Sequence, residues 1–164
     1  NYTATLQGKN GGQGIGVVEI FDIGAEAQSD LGNIATRGLV GSGDEVLIGG
    51  FIVRDTSFRN QPQRILIRGI GPSIPTSQVP NPLQDPFLEL HDGQGTILAS
   101  NDDWQSQSIP GDVTAIMQST IAPTNPKESA ILKTLAPGAY TAIMRGATGG
   151  TGIGLVEVYN LGNQ

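Results

Sequence analysis

The sequence predicts an all-β fold, a β-sandwich of jelly-roll or immunoglobulin-like kind with about ten short strands and one short helix near 112–119. Three observations predict it. Gly supplies 24 and Pro 10 of 164 residues, a Gly share about twice the average, which signals many tight turns. Short runs rich in β-branched residues alternate with turn clusters along the whole chain. The chain also begins and ends on two copies of one unit. Residues 2–24 read YTATLQGKNGGQGIGVVEIFDIG and residues 140–162 read YTAIMRGATGGTGIGLVEVYNLG, aligned without a gap at an offset of 138 with 12 identities in 23 positions.

Each copy holds a short extended run, a Gly-rich link and a second run of β-branched and aromatic residues. Two such runs joined by a few residues containing Gly predict a β-hairpin, the glycines supplying positive φ. Asn1 aligns with Ala139, inside the turn that leads into the second copy. The chain thus reads as one period plus a second hairpin: a window on a longer array, or a mature subunit with a spare hairpin.

Residues 25–30 read as a polar linker and 31–40 as a strand. Residues 45–54 form the strongest strand of the first half, with a bulge expected at Gly49-Gly50, where the apolar parity switches from Val46 and Ile48 to Phe51 and Val53. A polar loop over 55–63 leads to a strand over 64–70, with Ile65 and Ile67 on one face and Leu66 and Arg68 on the other. Five prolines between 71 and 86 predict a stiff crossing from one sheet to the other. Residues 87–91 and 96–100 pair across an Asp-Gly turn. Asp112 is placed to cap a helix whose Val113, Ile116 and Met117 share a face. A strand over 129–134 precedes the second hairpin. The expected domains are a hairpin over 1–24 and a sandwich over 25–164.

Composition excludes several functions. A net charge of −6 argues against nucleic acid and against an anionic membrane surface. Without Cys there is no disulfide framework and no thiol-based metal site or nucleophile. No apolar run approaches the roughly 18 residues of a membrane span. A low-charge, Gly-rich chain suits a secreted or cell-surface protein.

Asp85-Pro86-x-Leu88-x-Leu90-x-Asp92-x-x-Gly95-x-x-Leu98-Ala99-Ser100-Asn101-Asp102, then Leu135-x-Pro137-Gly138-x-Tyr140 and a Gly-rich pair of runs, resemble the bacterial pre-peptidase C-terminal domain. That resemblance implies a small β-sandwich appended to secreted enzymes and linked to calcium or to binding insoluble material. The whole chain also resembles a repeat module of long secreted bacterial proteins. The marks are Asn33-Ile34-Ala35-Thr36-Arg37-Gly38, Gly41-x-Gly43-Asp44-x-Val46-Leu47-Ile48-x-Gly50-Phe51, Arg68-Gly69-Ile70-Gly71-Pro72-Ser73 and Ala99-Ser100-Asn101-Asp102-Asp103-Trp104. It implies a tandem, surface-exposed β module with no assigned chemistry.

Asp85, Asn101, Asp102 and Asp103 form the one acidic cluster, a candidate calcium set because calcium takes several Asp, Asn and carbonyl oxygens. Against it, Asp and Asn cap turns with their side chains. Trp104 is either a sugar-stacking platform or a core anchor, and its place after a tight Asn-Asp-Asp loop favours packing over a sandwich edge. His91, the only His, reads as a surface residue. No Gly-x-Ser-x-Gly motif or buried carboxylate pair signals catalysis, so no enzyme activity is expected. Glu19 and Glu157 hold equivalent positions and are expected to pair with Arg37, Arg64, Arg68 or Arg145.

A lone hairpin is barely stable in water, and its open edges invite another chain. The expected function is therefore a structural subunit of an extracellular filament or repeat array, with the chain itself as partner. Tyr2, Ala4, Leu6, Ile15, Val17, Val18, Ile20 and Phe21 are the expected assembly residues. The alternative is a calcium-dependent carbohydrate- or surface-binding module.

Overall fold

Strand pairing sorts the chain into two antiparallel four-stranded sheets, seen in a computed structural model that describes residues 2–21, 32–54, 61–77, 79–109 and 111–162. The chain divides into two units, Asn1–Asp30 and Leu31–Gln164. The expected boundary at 24/25 and the linker over 25–30 lie outside the described residues, as does most of the loop over 55–63.

The second unit is the sandwich. Its strands are β1 (Asn33–Val40), β2 (Leu47–Val53), β3 (Gln63–Ile70), β4 (Pro86–Asp92), β5 (Ile97–Asn101), β6 (Ser129–Leu135), β7 (Gly138–Gly146) and β8 (Gly152–Asn160), with helix α1 over Asp112–Gln118. One sheet runs β1-β8-β3-β6 and the other β2-β7-β4-β5. The all-β sandwich and its single helix match the expected class. Among the described residues eight strands replace the expected ten, because no strand is assigned within residues 2–21.

Alternation builds the core between the sheets. Ile65 and Ile67 of β3, Leu88 and Leu90 of β4, Met144 of β7 and Val156 of β8 are all buried there. Each such side chain contributes about 1.5–3 kcal/mol by leaving water. The first sheet is covered on its outer face as well. Leu66, Ala130 and Leu132 point outward to meet Ile116 of α1 and Trp104. Ile153 and Leu155 meet Ile70 of β3 and Ile74 and Val79 of the Pro-rich segment. That segment carries the chain from β3 in one sheet to β4 in the other, as its prolines predict.

Two expectations need correction. No bulge lies at Gly49-Gly50: β2 pairs β7 in unbroken register from Leu47 to Val53. Leu47, not Ile48, lies on the core side, and Ile48 is 53% exposed. Gly49 is small because Val156 Cγ1 lies 3.0 Å from where its Cβ would stand. The register shift falls instead at Leu90/His91, between β4 and β5. In α1 the cap residue is Gly111 and makes no side-chain cap bond, while Asp112 opens the first turn. Ile116 is buried but Met117 is 60% exposed, since a single short helix on a sheet has only a narrow covered face.

Candidate functional site

The repeated unit is not a hairpin. β7 and β8 lie in different sheets, and each is an inner strand there. β7 pairs with β2 and β4, and β8 with β1 and β3. Residues 138–160 therefore form an arch that crosses the sandwich and fills the middle of both sheets. A hairpin pairs its two runs with each other, about 4.8 Å apart, whereas an arch spans the roughly 10 Å between sheets.

A tight link makes the crossing. Gly146 leads into a 3-10 turn over Ala147–Gly149, in which Thr148 and Gly149 take φ of 53° and 81°. Gly150 N–H donates to Ala147 O at 3.1 Å. A Cβ on Gly146 would stand 1.9 Å from Gly150 O, so only glycine fits. Across the arch, a Cβ on Gly154 would stand 2.2 Å from Met144 Cε.

Residues 2–21 of the first unit repeat this geometry. Lys9–Gly11 form the 3-10 turn, with φ of 57° at Asn10 and 75° at Gly11. Gly12 N–H donates to Lys9 O at 3.1 Å. A Cβ on Gly8 would stand 1.7 Å from Gly12 O, and one on Gly16 would stand 2.3 Å from Leu6 Cδ2. Each of these features of the built-in turn has its counterpart 138 positions earlier.

Burial separates the two copies. Met144, Val156 and Val158 are buried, whereas their counterparts Leu6, Val18 and Ile20 are exposed by half or more. Tyr2 and Ile15 are wholly exposed, and Val17 and Phe21 largely so; Ala4 is exposed too. All eight expected assembly residues thus lie bare on one arch-shaped segment.

The equivalent glutamates also part company. Glu157 is nearly buried and faces Arg68 across the β3–β8 register. Arg68 Nε donates to it at 3.0 Å and Nη1 to Ile121 O at 2.6 Å, and the guanidinium lies over the Tyr159 ring. Tyr159 Oη donates to Glu157 Oε1 at 2.9 Å. Burial, with the Glu157 charge beside it, pushes the Tyr159 phenol above its ordinary pKa. Arg68 is thus the partner that Glu157 takes from the expected four. Glu19 has no ion pair among the described residues, and Phe21 in place of Tyr159 removes the hydroxyl.

The acidic cluster comes together in part. Asp85, Asp102 and Asp103 line one shallow hollow with Lys127. Lys127 Nζ reaches Asp85 at 3.3 Å. Partial burial, then the charges of Asp85 and Asp103, raise the Asp102 carboxyl above its usual range. Asn101 does not join them: its amide donates to Asp103 O, and its Oδ1 accepts from Ala130 N–H at 2.9 Å. Among the described residues no three His, Cys, Asp or Glu side chains are grouped to hold a metal ion.

Trp104 is a core anchor and not a ligand platform. It is 6% exposed, packs in the cluster of Leu66 and Ile116, and donates its indole N–H to Asn125 O at 3.1 Å. His91 is mostly covered, its ring nitrogens meeting Gly95 O and Glu89 Oε2. Sequence reading missed Glu128, which is fully buried. Its Oε1 accepts from Gly71 N–H and from Ser73 N–H and Oγ–H, and its Oε2 from Asn125 N–H, so it ties the Pro-rich crossing to the turn before β6. A lone Glu in a polar loop carries no signal that would reveal this.

No protein-family model and no curated protein matches the chain. Among solved structures it is similar to the pre-peptidase C-terminal domain of a collagenase from Bacillus anthracis, with 14% identity over 77% of this chain and 88% of that one and a TM-score of 0.46. This is the family that residues 86–161 resemble in sequence.

Proposed function

We propose that the chain is a structural subunit of an extracellular or cell-surface filament or repeat array, its copies joined by strand addition through the N-terminal arch. One observation carries this reading. Residues 2–21 hold the shape of an arch whose twin fills the centre of two sheets, yet their apolar side chains are uncovered. Extended segments bearing apolar side chains and unpaired backbone are strand donors, and sheet edges are their acceptors. A joint in which one face of a subunit meets a different face of the next repeats without closing and gives a filament.

Sedimentation velocity and electron microscopy test it. The chain is expected to sediment as long polymers, and a chain lacking residues 1–24 as a monomer. Polymers formed without residues 1–24 would sink the proposal.

A calcium-dependent carbohydrate- or surface-binding module is the second reading: Asp85, Asp102 and Asp103 line one hollow, although these side chains are not grouped as a set of metal ligands. It predicts that millimolar calcium raises the melting temperature and that Asp102→Asn abolishes the rise.

A further inference from the structure

We infer that the acceptor for residues 2–21 is the outer edge of β1 and β2 in a second copy of the chain, entered in the register that β7 and β8 use on the inner edge. This rests on the filament reading above and names the surface that the reading requires.

The sandwich has two pairs of edge strands, β1 with β2 and β6 with β5. They are not alike. At the second pair, side chains cap the backbone. Ala130 N–H donates to Asn101 Oδ1, and Ala130 O accepts from Gln107 Nε2 at 3.0 Å. Lys133 Nζ crosses to Leu98 O at 3.3 Å. Edges blocked in this way do not accept strands. At the first pair, no described side chain hydrogen-bonds a backbone group of β1 or β2, and no described strand pairs with their outer edges. Core-facing Ile34, Leu47 and Phe51 remain only partly buried.

The β1–β2 pair is itself an arch, since it joins the two sheets through residues 41–46. It already binds the arch sequence along one side, with β1 antiparallel to β8 and β2 antiparallel to β7. An arch has a hand, so a second one fits the other side only with its first run on β2 and its second on β1. The order of the runs in residues 2–21 meets that condition. Core-side parity agrees as well: Gly14, Gly16, Val18 and Ile20 correspond to Gly152, Gly154, Val156 and Val158, and Tyr2, Ala4 and Leu6 to Tyr140, Ala142 and Met144.

Subtracting the repeat offset from the observed register sets the new pairs. Val158 opposite Ile34 becomes Ile20 opposite Ile34, and Val156 opposite Thr36 becomes Val18 opposite Thr36. In the other sheet Tyr140 opposite Phe51 becomes Tyr2 opposite Phe51. Phe51 already stacks on Tyr140 with centroids 5.7 Å apart, so the incoming Tyr2 places aromatic rings on both sides of it. On the outer face Glu19 falls opposite Ala35 and diagonal to Arg37, within reach of a long side chain. Arg37 has no ion pair among the described residues.

The native chain lacks Cys, which makes the test direct. Chains carrying Val18→Cys are mixed with chains carrying Thr36→Cys, assembled under reducing conditions and then oxidised. Residues opposed in an antiparallel pair have Cα atoms about 4.5–5.5 Å apart, within disulfide reach. Mixing reports contacts between chains alone. A parallel mixture pairs Glu19→Cys with Thr134→Cys on β6, both on outward faces. The expected result is a heterodimer at least about tenfold more abundant with Thr36→Cys than with Thr134→Cys. Should either core-side variant fail to assemble, Glu19→Cys with Ala35→Cys probes the same register on the outer face. Polymers that cross-link preferentially through Thr134→Cys, or equally through both, overturn the edge assignment and leave the filament reading standing. A chain that sediments as a monomer and yields no heterodimer overturns both.

Discussion

Residues 140–162 and residues 2–21 share a sequence and a turn, and they differ in what covers them. One copy forms inner strands of two sheets, and the other is assigned no strand at all. The difference separates two properties that sequence similarity joins. The arch bend is local: it follows from Gly-rich backbone geometry at Gly146–Gly150 and at Gly8–Gly12. Being a strand is not local, because ladder hydrogen bonds require neighbours on both sides. A segment with the bend and without the neighbours is an arch awaiting a sheet.

Paired substitutions at equivalent positions break or sharpen this comparison. The largest effects come from the turn. Gly146→Ala sets a methyl against Gly150 O and is expected to cost about 3 kcal/mol or more of folding stability, read by urea unfolding. Gly8→Ala meets the same obstacle at Gly12 O. It is expected to abolish polymers in sedimentation while the unfolding free energy of the sandwich, read by urea, stays within about 0.5 kcal/mol of the parent. Equal losses of stability from both would erase the distinction.

Next come the core-side residues. Met144→Ala empties a fully buried site and is expected to cost about 2–5 kcal/mol. Leu6→Ala leaves the sandwich unchanged and raises the critical concentration for assembly.

The glutamates follow. Glu157→Gln leaves Arg68 nearly buried without its counter-charge, at an expected cost of about 2 kcal/mol, less than for a wholly buried pair. Glu19→Gln is expected to weaken assembly by under about 1 kcal/mol and to remove part of its salt dependence, because a pair with Arg37 would be solvent-screened.

Asp102 lies outside both arches and serves as the reference. Its folded pKa is raised, so its charge opposes folding. Its contribution is complete below the unfolded pKa and is lost as pH rises through the folded one. Asp102→Asn is expected to flatten that slope and to stabilise the sandwich at pH 7 by under about 0.5 kcal/mol, read as melting temperature against pH, with assembly unchanged.

Much of the fold was legible in the sequence. Ile65 and Ile67 against Leu66 and Arg68 specified both faces of β3, and the prolines between 71 and 86 marked the crossing between sheets. The arch was not legible as an arch. Two extended runs with a Gly link look alike whether they pair with each other or with strands in opposite sheets. A clue lay in β8 itself, where Ile153 and Leu155 alternate with Val156 and Val158, so that both faces are apolar and an inner, doubly covered strand is implied. Gly49 was misread because a glycine forced by a close neighbour and a glycine at a bulge carry the same letter. The packing of Trp104 was legible from its place after the Asn-Asp-Asp loop, whereas Glu128 took its role from contacts distant in sequence, which no local pattern encodes.

Hydrogen exchange on the assembled chain tests the central claim most directly. In polymers the amides of Val17, Glu19 and Phe21, whose N–H groups face β1 in the proposed register, are expected to approach the protection of Leu155, and to lose it when the polymers are dissociated. Polymers in which Val17, Glu19 and Phe21 exchange as freely as an unfolded peptide would contradict the account.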